Sequence, residues 1–271
     1  MSRLSELLRK SRETPEWTLS MPSSRDRLEH SHASDLDIIP VEQATIGASS
    51  RIALVTNPAS PEADRFRFLR MRLRELKETA NLHNIVITSP LPQDGKSTIA
   101  LNLATALAEG GKRSVLLVDG DLHCPRLASS LGIPARPGLA ECIESGLDPM
   151  SAIRRIEPLK WYFLQAGITK ANPSELLHFH AACESFNAVA GLFDWILFDT
   201  PPVLPLTDAL SLSKNMAASV LMVVRANWTS SNALEEAVAR IGPKNIFGIV
   251  LNRAEGVDRL YSRYYKLYYH Q

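Results

Sequence analysis

Ile85-Val86-Ile87-Thr88-Ser89-Pro90-Leu91-Pro92-Gln93-Asp94-Gly95-Lys96-Ser97-Thr98 is the stretch on which the fold turns. Its first four residues are all β-branched, the composition of a strand buried on both faces. The run Ile99 to Glu109 that follows reads as a helix, so Ser89 to Gly95 is a loop joining strand to helix. A helix opened here points its free N–H groups and the positive end of its dipole at whatever the loop encloses, and that suits an anion. Phosphate is the natural occupant. Lys96 then pairs with the β- and γ-phosphates, Ser97 offers a hydroxyl to Mg²⁺ and Thr98 reaches the α-phosphate, with Asp94 and Gly95 completing the nucleotide loop. A Gly-Lys-Ser/Thr tripeptide alone is weak evidence, and the strict loop pattern wants Gly where Pro90 stands. The strand, loop and helix context supplies the specificity.

Outward from this loop, apolar strand-sized runs alternate with helical segments. They are Arg51 to Val55, Ile85 to Thr88, Ser114 to Val118, Trp161 to Leu164, Trp195 to Phe198, Ser219 to Val224 and Ile246 to Leu251. Such alternation predicts an α/β fold, a doubly wound and mostly parallel sheet with helices on both faces. Two of the strands end in acids. Val115 to Val118 leads into Asp119-Gly120-Asp121, and Trp195 to Phe198 leads into Asp199-Thr200-Pro201-Pro202. Ligands of open α/β sheets bind beyond the carboxyl ends of the strands, so these acids fall where a nucleotide and a hard cation would sit.

Three regions are expected. Residues 1–50 read as a disordered segment, because from about Ser11 the chain is rich in Ser, Pro, Glu, Arg and His without an apolar period. Leu4, Leu7 and Leu8 at i, i+3 and i+4 could place a short docking helix at Ser2 to Lys10, with a fraying terminus as the alternative. Residues 51–256 form the nucleotide domain and 257–271 a tyrosine-rich tail. With 30 Lys plus Arg against 29 Asp plus Glu there is no basic excess, which argues against nucleic acid as a partner. Three cysteines without a Cys-x-x-Cys pair suggest neither a disulfide framework nor a zinc site, and a reducing cytosol fits best. The apolar runs are strand-sized and the N-terminus lacks an apolar signal core, so membrane attachment would need a partner.

These motifs together resemble the bacterial tyrosine autokinases of capsule and exopolysaccharide synthesis, over roughly Arg51 to the C-terminus. The matching parts are Pro92 to Thr98, Leu116 to Asp121 and Ile196 to Pro202, with Asn172 to Leu177 and Gly248 to Asn252 as further segments. The resemblance implies an ATP- and Mg²⁺-dependent kinase working from the cytoplasm. Lys96, Asp119 and Asp121 would be catalytic, with Asp119 as base or orienter for the attacking tyrosine hydroxyl. Ser97, Asp121 and Asp199 would hold Mg²⁺ directly or through water. It also implies a homo-oligomer, a transmembrane polysaccharide co-polymerase as activator and a tyrosine phosphatase. The family's Glu-x-x-Arg-x-x-Arg subunit contact appears here as Asp64, Arg67 and Arg70, and its usual Asp-Leu-Arg becomes Asp121-Leu122-His123. Gln93 replaces a common loop glycine, which costs backbone freedom unless its φ is negative.

Five of the six tyrosines fall in the last eleven residues: Tyr261, Tyr264, Tyr265, Tyr268 and Tyr269. Their spacing also suits a helix face, but a packed stripe has no use for five hydroxyls, and an ATP site in the same chain makes them acceptors. Three other readings compete. A partition or positioning ATPase normally carries a second lysine early in the loop, where Ser89 and Pro90 stand here. A GTPase is suggested by Asn252-Arg253-Ala254-Glu255, a loose imitation of a guanine reader with altered key positions. A regulatory scaffold without catalysis rests on His123.

Overall fold

The buried runs assemble into one eight-stranded sheet, seen in a computed structural model that describes residues 36–47, 50–169, 171–176, 186 and 189–254. The Ser2 to Lys10 segment and the tyrosine cluster lie outside these residues. The strands are β1 (Val41–Gln43), β2 (Asn84–Thr88), β3 (Val115–Asp119), β4 (Arg154–Glu157), β5 (Trp161–Leu164), β6 (Trp195–Asp199), β7 (Ser219–Arg225) and β8 (Ile246–Asn252). Their order is β1-β4-β5-β3-β6-β2-β7-β8. From β5 to β8 neighbouring strands are parallel, while β4 runs antiparallel to β5 and β1 follows β4. The expected α/β, mostly parallel, doubly wound sheet is what forms.

Alternate residues of each central strand enter opposite cores, as the pleat requires. On one face Ile85, Ile87, Val115, Leu117, Leu197, Leu221 and Val223 pack with Ile99, Leu103 and Leu107 of the helix Lys96–Ala108 and Leu73 of the helix Pro61–Ala80. On the other, Val86, Leu116, Val118, Ile196, Phe198 and Met222 meet Leu139, Phe193, Leu212, Leu234 and Ile241. Each fully buried aliphatic side chain contributes about 1.5–3 kcal/mol of transfer free energy, so these layers rigidly fix the strand ends that carry the site. The helix Lys96–Ala108 is apolar almost all round because the sheet covers one side and Pro61–Ala80 the other. The latter begins at Ser60, whose hydroxyl accepts from Ala63 N, with Pro61 at the first helical position.

The structure departs from the sequence reading in three places. The segment expected to be disordered up to Ser50 contributes β1, and Leu36 and Ile39 are buried just before it. Three strand residues of which only Val41 is apolar are too short a signal, and tertiary pairing with β4 orders them. Arg51 to Val55 is not a strand but leads into a short helix, Ala53–Thr56. Asn102 enforces this by accepting from Ala53 N at 2.8 Å and donating to Arg51 O at 2.7 Å, which holds the segment on the helix Lys96–Ala108 instead of at a sheet edge. β4 was also unanticipated, since Arg154-Arg155-Ile156-Glu157 has only one apolar residue and lies second from the edge. Among the described residues no helix is long and apolar enough to cross a membrane.

Candidate nucleotide site

Polar bonds between strand ends draw the site together. Asp119 and Asp199 face each other in the β3–β6 register, and Gly120 N donates to Asp199 O at 2.8 Å. Thr88 Oγ1 donates to Pro201 O at 2.8 Å and Thr200 Oγ1 to Ile87 O at 3.0 Å, tying the β2 and β6 exits to each other. Above these ends opens a cavity of about 890 Å³, within the range of small-molecule sites. Gly95, Lys96, Ser97, Thr98 and Asp121 line it.

Gly95 caps the helix Lys96–Ala108 at φ 97°, a left-handed conformation that a side chain strains. A Cβ there would also lie 2.1 Å from Asn252 Nδ2. That nitrogen donates to Asp94 O at 2.8 Å, so the end of β8 clamps the loop from outside. Asp94 is fully buried, accepting from Leu91 N at 3.1 Å and Thr229 Oγ1 at 2.5 Å. It therefore shapes the loop from within, while Gly95 to Thr98 face the cavity. Gln93 has φ 68°, so the backbone cost of losing the usual glycine is incurred.

The acids are distributed unequally. Lys96 Nζ stands 3.1 Å from Asp121 Oδ2, and Asp121 Oδ1 accepts from Cys124 N at 3.0 Å. Asp119 accepts from Asp121 N and from Leu127 N, both at 3.3 Å, and is buried below the cavity. Burial, with Asp199 opposite, pushes its carboxyl up to about 8. Neither role expected for Asp119, base or orienter of a tyrosine hydroxyl, is what its visible contacts describe: its two oxygens are taken up by the backbone of the Asp121 loop. Burial likewise raises Asp199 to about 6, against the opposing pull of Lys96 and a hydrogen bond with Ser97. Asp199 Oδ1 is buried without a hydrogen-bond partner among the described residues. A hard cation suits that oxygen, with Ser97 and Asp121 close by. No group of three His, Cys, Asp or Glu side chains among the described residues could hold a metal by itself. Such an ion would complete its shell with phosphate oxygens and water, as Mg²⁺ commonly does.

These two raised carboxyls predict a pH effect on the ligand-free protein. Each binds its proton more tightly folded than unfolded, so its contribution is complete below the ordinary carboxyl value near 4 and is lost as pH rises through the folded values. Thermal unfolding in EDTA should therefore come at a lower temperature at about pH 8.5 than at about pH 6, with a shallower fall for Asp199→Asn. A flat or rising midpoint over that interval would show that the pair is ionised throughout.

The sequence reading did not anticipate the wall formed by Thr45, Gly47 and Ser50, which belong to the segment expected to be disordered. It also did not anticipate Thr229 beneath the loop. Asn252, in the segment that loosely imitates a guanine reader, does not face the cavity as a base-reading group. Instead its amide nitrogen holds the loop and its Oδ1 accepts from Arg253 N at 2.9 Å. Arg225 and Arg253 line the same cavity, and the Arg225 guanidinium lies 4.8 Å from the ring centre of the exposed Trp228. Asp64, Arg67 and Arg70 lie together on the helix Pro61–Ala80, around a surface cleft that includes the exposed Phe68 and Met71. Within the chain Arg67 already pairs with Asp64 at 2.7 Å, and Arg70 reaches Ala106 O at 3.5 Å.

A phosphate loop between β2 and its helix, flanked by two acid-tipped strands of a doubly wound sheet, defines a P-loop nucleotide-binding protein. The chain belongs to the CobQ/CobB/MinD/ParA nucleotide binding domain family, CbiA, which it matches over residues 85–269. It is 30% identical over 257 residues to the putative tyrosine-protein kinase EpsB of Ralstonia nicotianae, covering 89% of this chain and 34% of that protein. It therefore spans about a third of that relative's length. The tyrosine-protein kinase YwqD of Bacillus subtilis is 29% identical over 203 residues, with 74% of this chain and 85% of YwqD covered. Among solved structures, the chimerical protein CapA2B2 superposes with a TM-score of 0.69 at 29% identity, covering 83% of this chain and 99% of that one. These relatives bear out the resemblance to bacterial tyrosine autokinases drawn from the motifs.

Proposed function

We propose that the chain is a protein-tyrosine kinase that uses Mg-ATP to phosphorylate the tyrosines of its own C-terminal cluster in trans. The observation that carries this reading is the Lys96–Asp121 pair inside a phosphate-loop cavity. A nucleotide would draw Lys96 from Asp121 to its β- and γ-phosphates, freeing the carboxylate that faces the cavity. Mg²⁺, held through Ser97, Asp121 and Asp199, would supply neutralising charge on the phosphates. The acceptor oxygen then bonds to the γ-phosphorus, the bond to the bridging oxygen breaks, ADP departs and the phenol proton passes to Asp121. Asp119 keeps that loop in place through its two backbone bonds. Tyr261, Tyr264, Tyr265, Tyr268 and Tyr269 are the proposed acceptors.

The cleft around Asp64, Arg67 and Arg70, with Phe68 and Met71 exposed beside it, supports a contact between subunits of a homo-oligomer. The chain would work in the cytoplasm, peripheral to the inner membrane through a transmembrane co-polymerase. There it would regulate exopolysaccharide or capsule polymerisation and export, and a tyrosine phosphatase would reset it. Purified chain incubated with labelled ATP and Mg²⁺ should become phosphotyrosine-positive, while the variant with all five tail tyrosines changed to Phe should hydrolyse ATP without labelling. ATP hydrolysis with no phosphotyrosine in the unaltered chain would favour a partition-type ATPase.

Phosphorylation should also change assembly. From Tyr261 to Gln271 the charged side chains are Arg263 and Lys266, both cationic, and each phosphate adds roughly −1.5 to −2. Light scattering should find a larger particle for phosphatase-treated protein than for the phosphorylated form at low salt. Because a Debye length of about 10 Å screens exposed charges at 0.1 M, the difference should shrink as salt is raised. Equal masses at low salt would rule out release by charge repulsion.

A further inference from the structure

Outside the catalytic groups, one polar cluster joins three separate parts of the chain. His123 follows Asp121 by two residues, Ser174 is the second residue of the short helix Pro173–Leu176, and Asp208 begins the helix Asp208–Asn215. The Asp208 side chain is 0% exposed, whereas His123 lines the nucleotide cavity. Ser174 Oγ donates to Asp208 Oδ1 at 2.8 Å. With its proton committed there, the hydroxyl can only accept from His123 Nε2 at 3.2 Å, so that nitrogen carries a hydrogen. The same nitrogen stands 3.0 Å from Asp208 Oδ2, a buried oxygen with no hydrogen bond of its own among the described residues. One imidazole nitrogen thus faces both oxygens, unlike a nucleophilic triad, in which serine and carboxylate take opposite ring nitrogens. The arrangement is suited to holding, not to attack.

What it holds is the loop of Asp121. Cys124 N anchors Asp121 Oδ1 from below, and His123, between the two residues, is fastened to a carboxylate fixed in the core. Burying a carboxylate is costly unless its oxygens are engaged, and here the Ser174 hydroxyl on Oδ1 and the imidazole nitrogen 3.0 Å from Oδ2 tie Asp208 to the segment that follows Asp121. When a nucleotide takes Lys96 away, the Asp121 carboxylate keeps the Cys124 N–H, while its backbone is held by Asp119 below and by this anchor two residues on. The residues that grip phosphates, Gly95 to Thr98, are on another segment and do not depend on it.

We infer that Asp208, acting through His123 and Ser174, is a positioning residue that sets Asp121 for the cation and the acceptor proton. The inference rests on the kinase reading proposed above. Loss of a partner behind a metal-binding or reacting group commonly costs about 10- to 100-fold in metal affinity or activity. For His123→Gln, a change at the cavity surface, kcat should fall about tenfold and the Mg²⁺ needed for half-maximal rate should rise, while fluorescent ATP binding in EDTA stays within about twofold. Asp208→Asn should behave alike if it folds. The double variant should be no worse than the more impaired single variant, because the residues act as one unit. His123→Arg, which keeps a donor within reach of Asp208, should regain most of the rate. Unaltered kcat and Mg²⁺ dependence in His123→Gln would overturn the inference, as would equal loss of nucleotide binding in EDTA. Neither result bears on the kinase assignment, which depends on labelling of the unaltered chain.

Discussion

Lys96→Met should abolish ATP hydrolysis and tyrosine labelling alike, with rates reduced on the order of 10²–10³-fold or to background. Lys96 is the first residue of the helix Lys96–Ala108 and its ammonium is aimed into the cavity at Asp121, 3.1 Å away. Among the described residues no other lysine lines that cavity, and the arginines that do so stand on different segments: Arg51, Arg126, Arg225 and Arg253. Methionine keeps most of the stem and removes only the charge that would meet developing negative charge on the phosphates. The fold should survive, because the packing of this helix lies in Ile99, Leu103 and Leu107 on its sheet side. Asp121 loses its cation but retains Cys124 N–H. The measurement is phosphotyrosine and phosphate release, with circular dichroism confirming the fold. Phosphotyrosine at the unaltered level in pure variant protein would refute the phosphate-site assignment.

The parts of this arrangement legible in the sequence share one property: each is coded by neighbouring residues. Ile85 to Thr98 announces strand, loop and helix in a single stretch, and Asp119, Asp121 and Asp199 announce themselves by following buried strands. The sheet's parallel character followed from continuous apolar runs such as Val115 to Val118, which only a sheet covered on both faces can bury. What escaped depends on contacts distant in sequence. β1 has one partly buried residue in three and is ordered by pairing with β4, over a hundred residues later. Asp208 looks like an ordinary helix-opening acid until Ser174 and His123 are found beside it. Asp94 shows the converse case. Its place in the motif suggested contact with ligand, whereas Thr229 and Leu91 turn it inward. Local patterning reveals which loop binds phosphate; the tertiary fold decides which of its side chains face the cavity.

Gly95→Ala should cost the protein its nucleotide site almost as completely as loss of Lys96, for a steric reason. The backbone there has φ 97°, outside the small left-handed region open to other residues, and that alone destabilises the native loop by about 1–2 kcal/mol. The new methyl would also start 2.1 Å from Asn252 Nδ2. Asn252 cannot simply retreat, because its Nδ2 donates to Asp94 O and its Oδ1 accepts from Arg253 N. Either the clamp breaks or the loop moves off the helix end. In both cases the N–H groups of Lys96, Ser97 and Thr98 lose their aim at the phosphates. A displacement of about 1 Å is enough to cost around 100-fold where positioned groups must act together. ATP affinity and labelling should therefore both fall by at least that order in Gly95→Ala, while Asn252→Ala, which only opens the clamp, should lose less. Combining the two substitutions separates the causes. Removing Asn252 relieves the collision but leaves φ unchanged, so Gly95→Ala with Asn252→Ala should bind ATP more tightly than Gly95→Ala alone and still below the unaltered chain. If the second substitution restores nothing, the collision with Asn252 is not what makes glycine necessary, and the backbone angle accounts for the whole loss.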